Sequence, residues 1–334
     1  MIRLIQLHHP QQGRRVARVE NSNLLLLSSW TSVYELALAT IQADRTLADQ
    51  LEGTEFSGTL DYEAVYEGVS DWSILPAFDH PYDVNACLVS GTGLTHRASA
   101  HHRQIMHDAD ARGTLTDSMK MYQLGEEGGR PAAGQVGAQP EWFYKGNGSV
   151  LRGHGEALEV PPYAEDGGEE PEVAGAYLID AQGTPYRIGL ATGNEFSDHV
   201  MEKQNYLYLA PSKIRTCALG PELAATDTFK TLTGTVRILR EHQLVWQREV
   251  ATGESTMAHS LANLEYHHFK YANHRVPGQA HVHFYGADAF SFGEGIKLTD
   301  GDLMEVSWPD LGRALRNPVH IDSSPAQCFA VKGL

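Results

Sequence analysis

The chain contains little cysteine and no long hydrophobic run. Its three cysteines, Cys87, Cys217 and Cys328, form no CxxC pair. Such sparse, unpaired cysteines are typical of reduced thiols in the cytoplasm and argue against a disulfide framework. The longest aliphatic run, Leu24 to Leu27, is far shorter than the roughly 20 residues that span a bilayer, and the first residues lack the apolar segment of a signal peptide. The sequence predicts a cytoplasmic protein with no membrane partner.

Basic residues are also scarce. The 26 lysines and arginines are outnumbered by 42 acidic residues, which gives a formal net charge of −16. This field repels phosphate backbones, so nucleic acid is not an expected partner. Gly91-Thr92-Gly93 is not followed by a GxGxxG or Walker pattern, which argues against a nucleotide-binding loop.

The length of 334 residues exceeds a usual domain of roughly 100–200 residues. We predict a small N-terminal α/β domain over residues 1–75 and a catalytic domain over 76–334. In the first, strands are expected at residues 1–6 and 14–20, followed by a helix from Trp30 to about Leu51.

The second domain is predicted to be mainly β. Short apolar runs alternate there with Gly, Asp and Pro turn residues, and helices are expected at residues 97–110 and 255–268. Residues 124–139 are rich in Gly, Ala and Glu, which favours a mobile loop.

A group of carboxylates suggests chemistry. Glu170 and Glu172 precede an apolar run and project from the same face if the run is a strand. A turn at residues 180–185 leads into a second apolar run. If that turn centres between Gly183 and Thr184, Glu172 faces Glu195. Three converging like charges are destabilising by themselves, and hard cations such as Mg²⁺, Mn²⁺ or Ca²⁺ accept such oxygen ligands.

Two other interpretations of the polar residues stay open. The acidic residues 165–172 could be a solvated loop, since a bulge would shift the assumed register. His281 and His283 share one strand face and could bind Zn²⁺ or Fe²⁺, although paired strand histidines are more often hydrogen-bonded structural residues.

The same residues resemble the fumarylacetoacetate hydrolase superfamily. The resemblance rests on five ordered segments: Pro140 to Lys145, Glu170-Pro171-Glu172, Gly193 to His199 followed by Lys213, Cys217 to Pro221, and the closing Gly301 to Val306 with Leu315 to Val319. It implies an α+β, mainly β fold, the mixed β-sandwich roll of that family, together with a divalent metal and a homodimer.

The resemblance also assigns roles to individual residues. Glu170, Glu172 and Glu195 take the metal-ligand positions, although the family usually has Asp at the third. His199 and Glu202 replace the family's substrate-contacting Arg and Gln, which implies a substrate other than an acylpyruvate. Lys213 keeps the position of a residue that binds the keto or carboxylate oxygen of the substrate.

The segment that would cover the site departs from the family pattern. The His–Glu pair that activates water in the small hydrolases is missing, and Thr95, Ser99 and His102 stand there instead. This combination resembles the GguC-type branch, whose relatives include 2-keto-3-deoxy sugar acid dehydratases.

The resulting hypothesis is a metal-dependent lyase that dehydrates a 2-keto-3-deoxy sugar acid, such as a pentonate, through a metal-stabilised enolate. Lys213, His199 and His102 are its candidate acid–base groups, with Thr95, Ser99 and Glu202 as further substrate contacts. The alternatives are a hydrolase that cleaves a C–C bond of a 2,4-diketo acid and a sugar-acid binding protein without catalysis.

Overall fold

A computed structural model describes residues 1–98, 100–101 and 116–334 of the protein. Its strands are β1 (Ile2–His9), β2 (Gly13–Glu20), β3 (Asn23–Leu27), β4 (Phe56–Asp61), β5 (Ser73–Ile74), β6 (Cys87–Gly91), β7 (Phe143–Asn147), β8 (Leu151–Arg152), β9 (Leu158–Val160), β10 (Pro171–Ile179), β11 (Pro185–Asn194), β12 (Cys217–Ala225), β13 (Leu232–Arg240), β14 (Gln243–Thr252), β15 (Ala280–Phe284), β16 (Leu303–Ser307) and β17 (Leu315–Ile321). Its α-helices include α1 (Val33–Gln42), α2 (Leu47–Leu51), α3 (Tyr62–Tyr66), α4 (Asp117–Gly128), α5 (His199–Gln204), α6 (Leu209–Lys213) and α7 (Leu261–Phe269).

The strands form two sheets. The larger has the order β4-β3-β2-β1-β12-β11-β10-β15-β6-β7, with β5 paired to β1 and β8 paired to β12. The smaller has the order β14-β13-β16-β17-β9. This is the mainly β, α+β architecture that the sequence predicts.

Strand β10 lies at the centre of the larger sheet and is buried on both faces. Val173, Tyr177 and Ile179 pack into the core that the larger sheet shares with the smaller one. Ala174 and Ala176 point the other way, into a second core that includes helix α1. A strand covered on both faces reads as a continuous apolar run, and only the polar residues at its ends are available for chemistry.

The N-terminal strands continue the larger sheet, because β1 pairs antiparallel with β12. The prediction of a single helix from Trp30 to Leu51 is wrong in one respect, because this segment forms two helices, α1 and α2. Asp44 has a left-handed φ of 52°, and Thr46 starts α2 with a reciprocal capping box. The division into domains at residue 75 stays a prediction.

The loop predicted for residues 124–139 begins later than expected, because α4 extends to Gly128. Gly125 lies inside this helix, and a Cβ atom there would be 2.6 Å from Nε2 of His259. The glycine therefore serves close packing against His259. Residues 97–98 and 100–101 are helical, and the rest of the helix predicted at 97–110 lies outside the described residues. Among the described helices, none is long and apolar enough to cross a membrane.

Candidate metal centre

Strands β10 and β11 form an antiparallel hairpin whose turn and bulge set the register of the carboxylates. Oδ1 of Asp180 accepts hydrogen bonds from the backbone N–H groups of Gln182 and Thr184 at 2.8 and 2.7 Å, so the turn centres on Gln182. A bulge opposite Ala176 and Tyr177 inserts one extra residue in β11.

This register corrects the predicted pairing of Glu172 with Glu195. Glu172 pairs with Gly193, and the backbone N–H of Glu195 donates to the carbonyl of Glu170 at 3.0 Å. The expected register was wrong because the turn lies earlier in the sequence, and the bulge offsets only one residue of this difference. Glu195 faces Glu170 instead, and all three glutamates still lie at the same end of the hairpin.

The three carboxylates converge as predicted. One oxygen atom from each of Glu170, Glu172 and Glu195 can be chosen so that all lie within 4.8 Å of one another. Their residues are 7%, 1% and 0% exposed, which rules out a solvated loop as the explanation for these acidic residues. Metal binding by the trio stays a prediction.

The pKa values of the three carboxyl groups are shifted in different directions. Burial, together with Glu195 and Glu170, raises the pKa of Glu172 well above its usual value. Burial also raises the pKa of Glu195 to about 7, although two lysines oppose the shift. For Glu170 the effect of burial is outweighed by Lys213 and His199, which hold its pKa well below the usual value.

Lys213 lies among the carboxylates at the end of α6. Its Nζ atom is 2.6 Å from Oε1 of Glu170, 2.7 Å from Oε2 of Glu195 and 2.8 Å from Oγ of Ser197. The lysine is 1% exposed. Its ammonium group is therefore placed where it can hold an anionic oxygen beside the trio.

Lys145, at the centre of β7, is a second buried cation that the sequence interpretation did not include. Its Nζ atom is 2.5 Å from Oε1 of Glu195 and donates to the carbonyl of Phe196 at 2.7 Å. The segment from Pro140 to Lys145 was recognised as part of the resemblance, but nothing in its local sequence indicates that Lys145 meets Glu195, which is 50 residues away.

His199 lies behind Glu170. Its Nε2 atom is 3.0 Å from Oε1 of Glu170, and its ring stacks on Phe290 with a centroid separation of 4.7 Å. Burial disfavours the charged imidazole, but the contact with Glu170 outweighs it and raises the pKa of His199. The residue is 1% exposed. Its position therefore favours a role in orienting Glu170 over direct proton transfer to a substrate.

A turn after β15 closes the opposite side. The backbone N–H of Gly286 donates to Oε2 of Glu172 at 2.6 Å. Thr95 lies beneath this turn and donates to the carbonyl of Tyr285 at 2.8 Å. Gly286 has a φ of 99°, and a Cβ atom there would lie 2.0 Å from Oγ1 of Thr95. In this arrangement Thr95 stabilises the turn that holds Glu172.

The remaining predicted site residues divide into two groups. Oε1 of Glu202 accepts from Ser212 at 2.9 Å and lies 3.3 Å from Nζ of Lys213, so it belongs to the same buried group. Ser99 and His102 lie outside the described residues.

The alternative site at His281 and His283 is a hydrogen-bonded histidine network. Both ring nitrogens of His283 contact hydroxyl groups, Ser90 and Thr92, at 2.8 Å. Nδ1 of His281 lies 3.0 Å from Nε2 of His268. Within residues 1–98, 100–101 and 116–334, the only three metal-ligating side chains grouped closely enough for one ion are the three glutamates. The geometry favours the structural interpretation of these histidines.

The donor chemistry of the glutamate trio fits a hard divalent cation. All three groups are carboxylates, which Mg²⁺, Mn²⁺ and Ca²⁺ prefer. The raised pKa values of Glu172 and Glu195 come from burial and mutual repulsion, and a cation between the groups would remove that repulsion. The described residues therefore fit the ion that the resemblance implies.

The chain shares its fold with a dehydratase and two isomerases of known structure. It matches 2-keto-3-deoxy-D-arabinonate dehydratase complexed with magnesium and 2,5-dioxopentanoate, with a TM-score of 0.71 and 21% identity over 96% of this chain and 100% of that chain. It also matches 5-carboxymethyl-2-hydroxymuconate delta-isomerase from Mycobacterium smegmatis, with a TM-score of 0.57 and 14% identity over 96% and 100% of the two chains. A third match is 2-hydroxyhepta-2,4-diene-1,7-dioate isomerase from Mycobacterium marinum, with a TM-score of 0.58 and 14% identity over 97% and 100%.

These structures confirm the predicted resemblance at the level of the fold. No protein-family model matches the chain, and no curated protein sequence matches it.

Proposed function

We propose that the protein is a divalent metal-dependent dehydratase that acts on a 2-keto-3-deoxy sugar acid of the pentonate class. The observation that carries the proposal is the buried trio of Glu170, Glu172 and Glu195 with Lys213 placed among them. The full-length likeness to a dehydratase crystallised with magnesium and 2,5-dioxopentanoate supports this choice of reaction.

The charges around the trio support a divalent cation. The three glutamates carry three negative charges when ionised, and Lys145 and Lys213, which contact Glu195 and Glu170, supply two positive charges. Buried Glu202 adds a further carboxylate beside Lys213. A divalent cation would offset this excess of negative charge.

Glu170, Glu172 and Glu195 would hold the cation. When bound, it supplies a Lewis acid that makes the C3 proton of a 2-keto acid more acidic. Lys213 lies beside two of these glutamates and would bind an anionic oxygen of the substrate. His199 keeps Glu170 in place, and the N–H of Gly286 does the same for Glu172.

The reaction consumes no co-reactant. The C3–H and C4–O bonds of the substrate break, a C3–C4 double bond forms, and the proton leaves with the C4 hydroxyl as water. A proton then moves from C5 to C3, which gives an enol with a C4–C5 double bond. Transfer of the enol hydroxyl proton to C4 converts C5 into an aldehyde. Since no water molecule attacks the substrate, the reaction does not require the hydrolytic His–Glu pair that is missing from the sequence. General acid–base assistance of this kind contributes typically about 10²–10⁴-fold.

The proposal is tested by incubating the purified protein with Mg²⁺ and each stereoisomer of 2-keto-3-deoxypentonate. Release of a 2-keto acid semialdehyde, detected by an aldehyde reagent and by mass spectrometry, is the expected result. Glu172→Gln serves as a variant that keeps the shape of the side chain and removes one negative charge, and it should lose turnover.

Two control substrates separate the alternatives. Pyruvate release from an acylpyruvate, without any semialdehyde from the pentonates, would show a C–C hydrolase instead. Tight pentonate binding without turnover under Mg²⁺, Mn²⁺ or Ca²⁺ would show a binding protein. We also propose that the active form is a cytoplasmic homodimer, and light scattering measures its mass.

A further inference from the structure

We infer that Lys145 is a positioning residue that fixes Glu195 so that its second carboxylate oxygen can exchange between Lys213 and a cation. The inference rests on the cation site of the proposed function but not on the identity of the substrate. Lys145 contacts both the carboxylate of a candidate ligand and a backbone atom of the turn that presents it.

The contacts of Lys145 are directed to one side of Glu195. Its Nζ atom is 2.5 Å from Oε1 of the carboxylate and 2.7 Å from the carbonyl oxygen of Phe196, the next residue in the chain. Lys145 and Glu195 are both 0% exposed. A fully buried, hydrogen-bonded ion pair keeps its geometry, because rotation of the carboxylate would leave a buried charge without a partner.

The backbone at this point explains why a second anchor is needed. Phe196 has a φ of 38°, in the left-handed region that is uncommon for a residue with a side chain. This conformation turns the chain away from β11 immediately after Glu195. Because Lys145 binds the Phe196 carbonyl and the Glu195 carboxylate together, it connects the turn and the candidate ligand to strand β7.

Lys213 differs from Lys145 in what it touches. Its described hydrogen bonds at the site go to side-chain oxygens, including Oε1 of Glu170 and Oε2 of Glu195. These oxygens belong to the candidate ligands themselves, so a cation would compete with Lys213 for them. Lys145 contacts the other oxygen of Glu195, Oε1, and keeps that contact whichever partner Oε2 has. One lysine is therefore a fixed counter-charge and the other an exchangeable one.

The test is the affinity of the full-length protein for Mg²⁺, measured by calorimetry without substrate. Lys145→Met keeps a similar length and removes the charge, and its Mg²⁺ dissociation constant should rise by at least about tenfold, as for other groups that orient metal ligands. Lys297→Met, at an exposed lysine, is the matched control and should leave the constant unchanged. A folded Lys145→Met variant with an affinity within about twofold of the parent would overturn the inference.

If Lys145→Met does not fold, the melting temperatures of two further variants test the inference instead. Breaking a buried pair is costly, whereas removing both charges is much less so. Glu195→Gln also breaks the pair, because it leaves the buried Lys145 ammonium group without its carboxylate partner. We therefore expect the double variant Lys145→Met/Glu195→Gln to fold and to melt no lower than Glu195→Gln. A large further loss in the double variant would show that Lys145 acts by packing alone and would overturn the inference. A parent protein that binds no Mg²⁺ would contradict the proposed function as well, so the two failures are distinguishable.

Discussion

The ammonium group of Lys213 is 2.6 Å from Oε1 of Glu170, so a residue expected to bind substrate contacts a carboxylate expected to bind metal. The structure gives Lys213 two roles. The lysine neutralises a buried carboxylate when no other cation does so, and it supplies a positive charge for an anionic substrate oxygen. Binding of a cation and activity should respond differently to its removal.

Lys213→Met should lower turnover by about 10²–10⁴-fold without weakening Mg²⁺ binding. The ammonium group competes with a cation for Glu170 and Glu195, so the dissociation constant should stay the same or fall. Calorimetry with Mg²⁺ and a steady-state assay with the pentonate measure the two effects. A large loss of Mg²⁺ affinity in the folded variant would contradict this role, and Lys297→Met is again the control.

His199→Gln should weaken Mg²⁺ binding by about 10–100-fold, because His199 orients Glu170 through a 3.0 Å contact. The value of kcat at saturating Mg²⁺ should recover most of its parent level. This result would assign His199 to positioning and not to the acid–base role that the sequence suggests. If Mg²⁺ affinity is unchanged and kcat still falls by about 10²-fold or more, the acid–base role is supported instead.

Gly168→Ala should disturb the same residue from the other side. A Cβ atom at Gly168 would lie 2.3 Å from Nδ1 of His199, and overpacking of a buried site costs typically about 1–3 kcal/mol. Both the melting temperature and the Mg²⁺ affinity should fall. Gly58→Ala is the matched control, since its Cβ would meet only Leu26 at an ordinary 3.6 Å. Equal effects of the two substitutions would contradict the prediction.

The histidine network should make the protein less stable in mild acid. Burial lowers the pKa of His281 and His283 to about 3 and that of His268 well below its usual value. In the unfolded chain these side chains take up protons near pH 6.5, so between about pH 6.5 and pH 3 the unfolded state binds more protons. The free energy of unfolding should therefore decrease as the pH is lowered through this window, by up to about 1.4 kcal/mol per pH unit for each histidine.

Urea unfolding near neutral pH and at about pH 5 measures this slope. His281→Gln should reduce it, whereas His320→Gln, at an exposed histidine, should leave it unchanged. A slope that is the same in the parent and in His281→Gln would show that the network does not set the acid sensitivity.

The glutamate trio was predictable because its signals are local, whereas the fold was predicted from the resemblance of five ordered segments to a known family. An ExE pair before an apolar run and turn residues ten positions later suffice to bring Glu170, Glu172 and Glu195 together. The pairing of Glu172 was not predictable, since any of the turn residues between Asp180 and Pro185 could form the tip of the hairpin and a bulge in β11 shifts the register once more. Lys145 could not be found by spacing at all, because its strand is separated from β11 by three others in the sheet.

The residues before the predicted boundary at 75 form part of the larger sheet, which sequence composition alone does not show. Strand β1 pairs with residues 223–225 of β12, and β12 pairs in turn with β11, which leads directly into Glu195. Removing the first unit would strip backbone hydrogen-bond partners from β12 and convert an interior strand into an unprotected edge, the kind of surface on which chains aggregate. The amino-terminal segment is thus a structural neighbour of the hairpin that carries the glutamate trio, and the chain is best handled at full length.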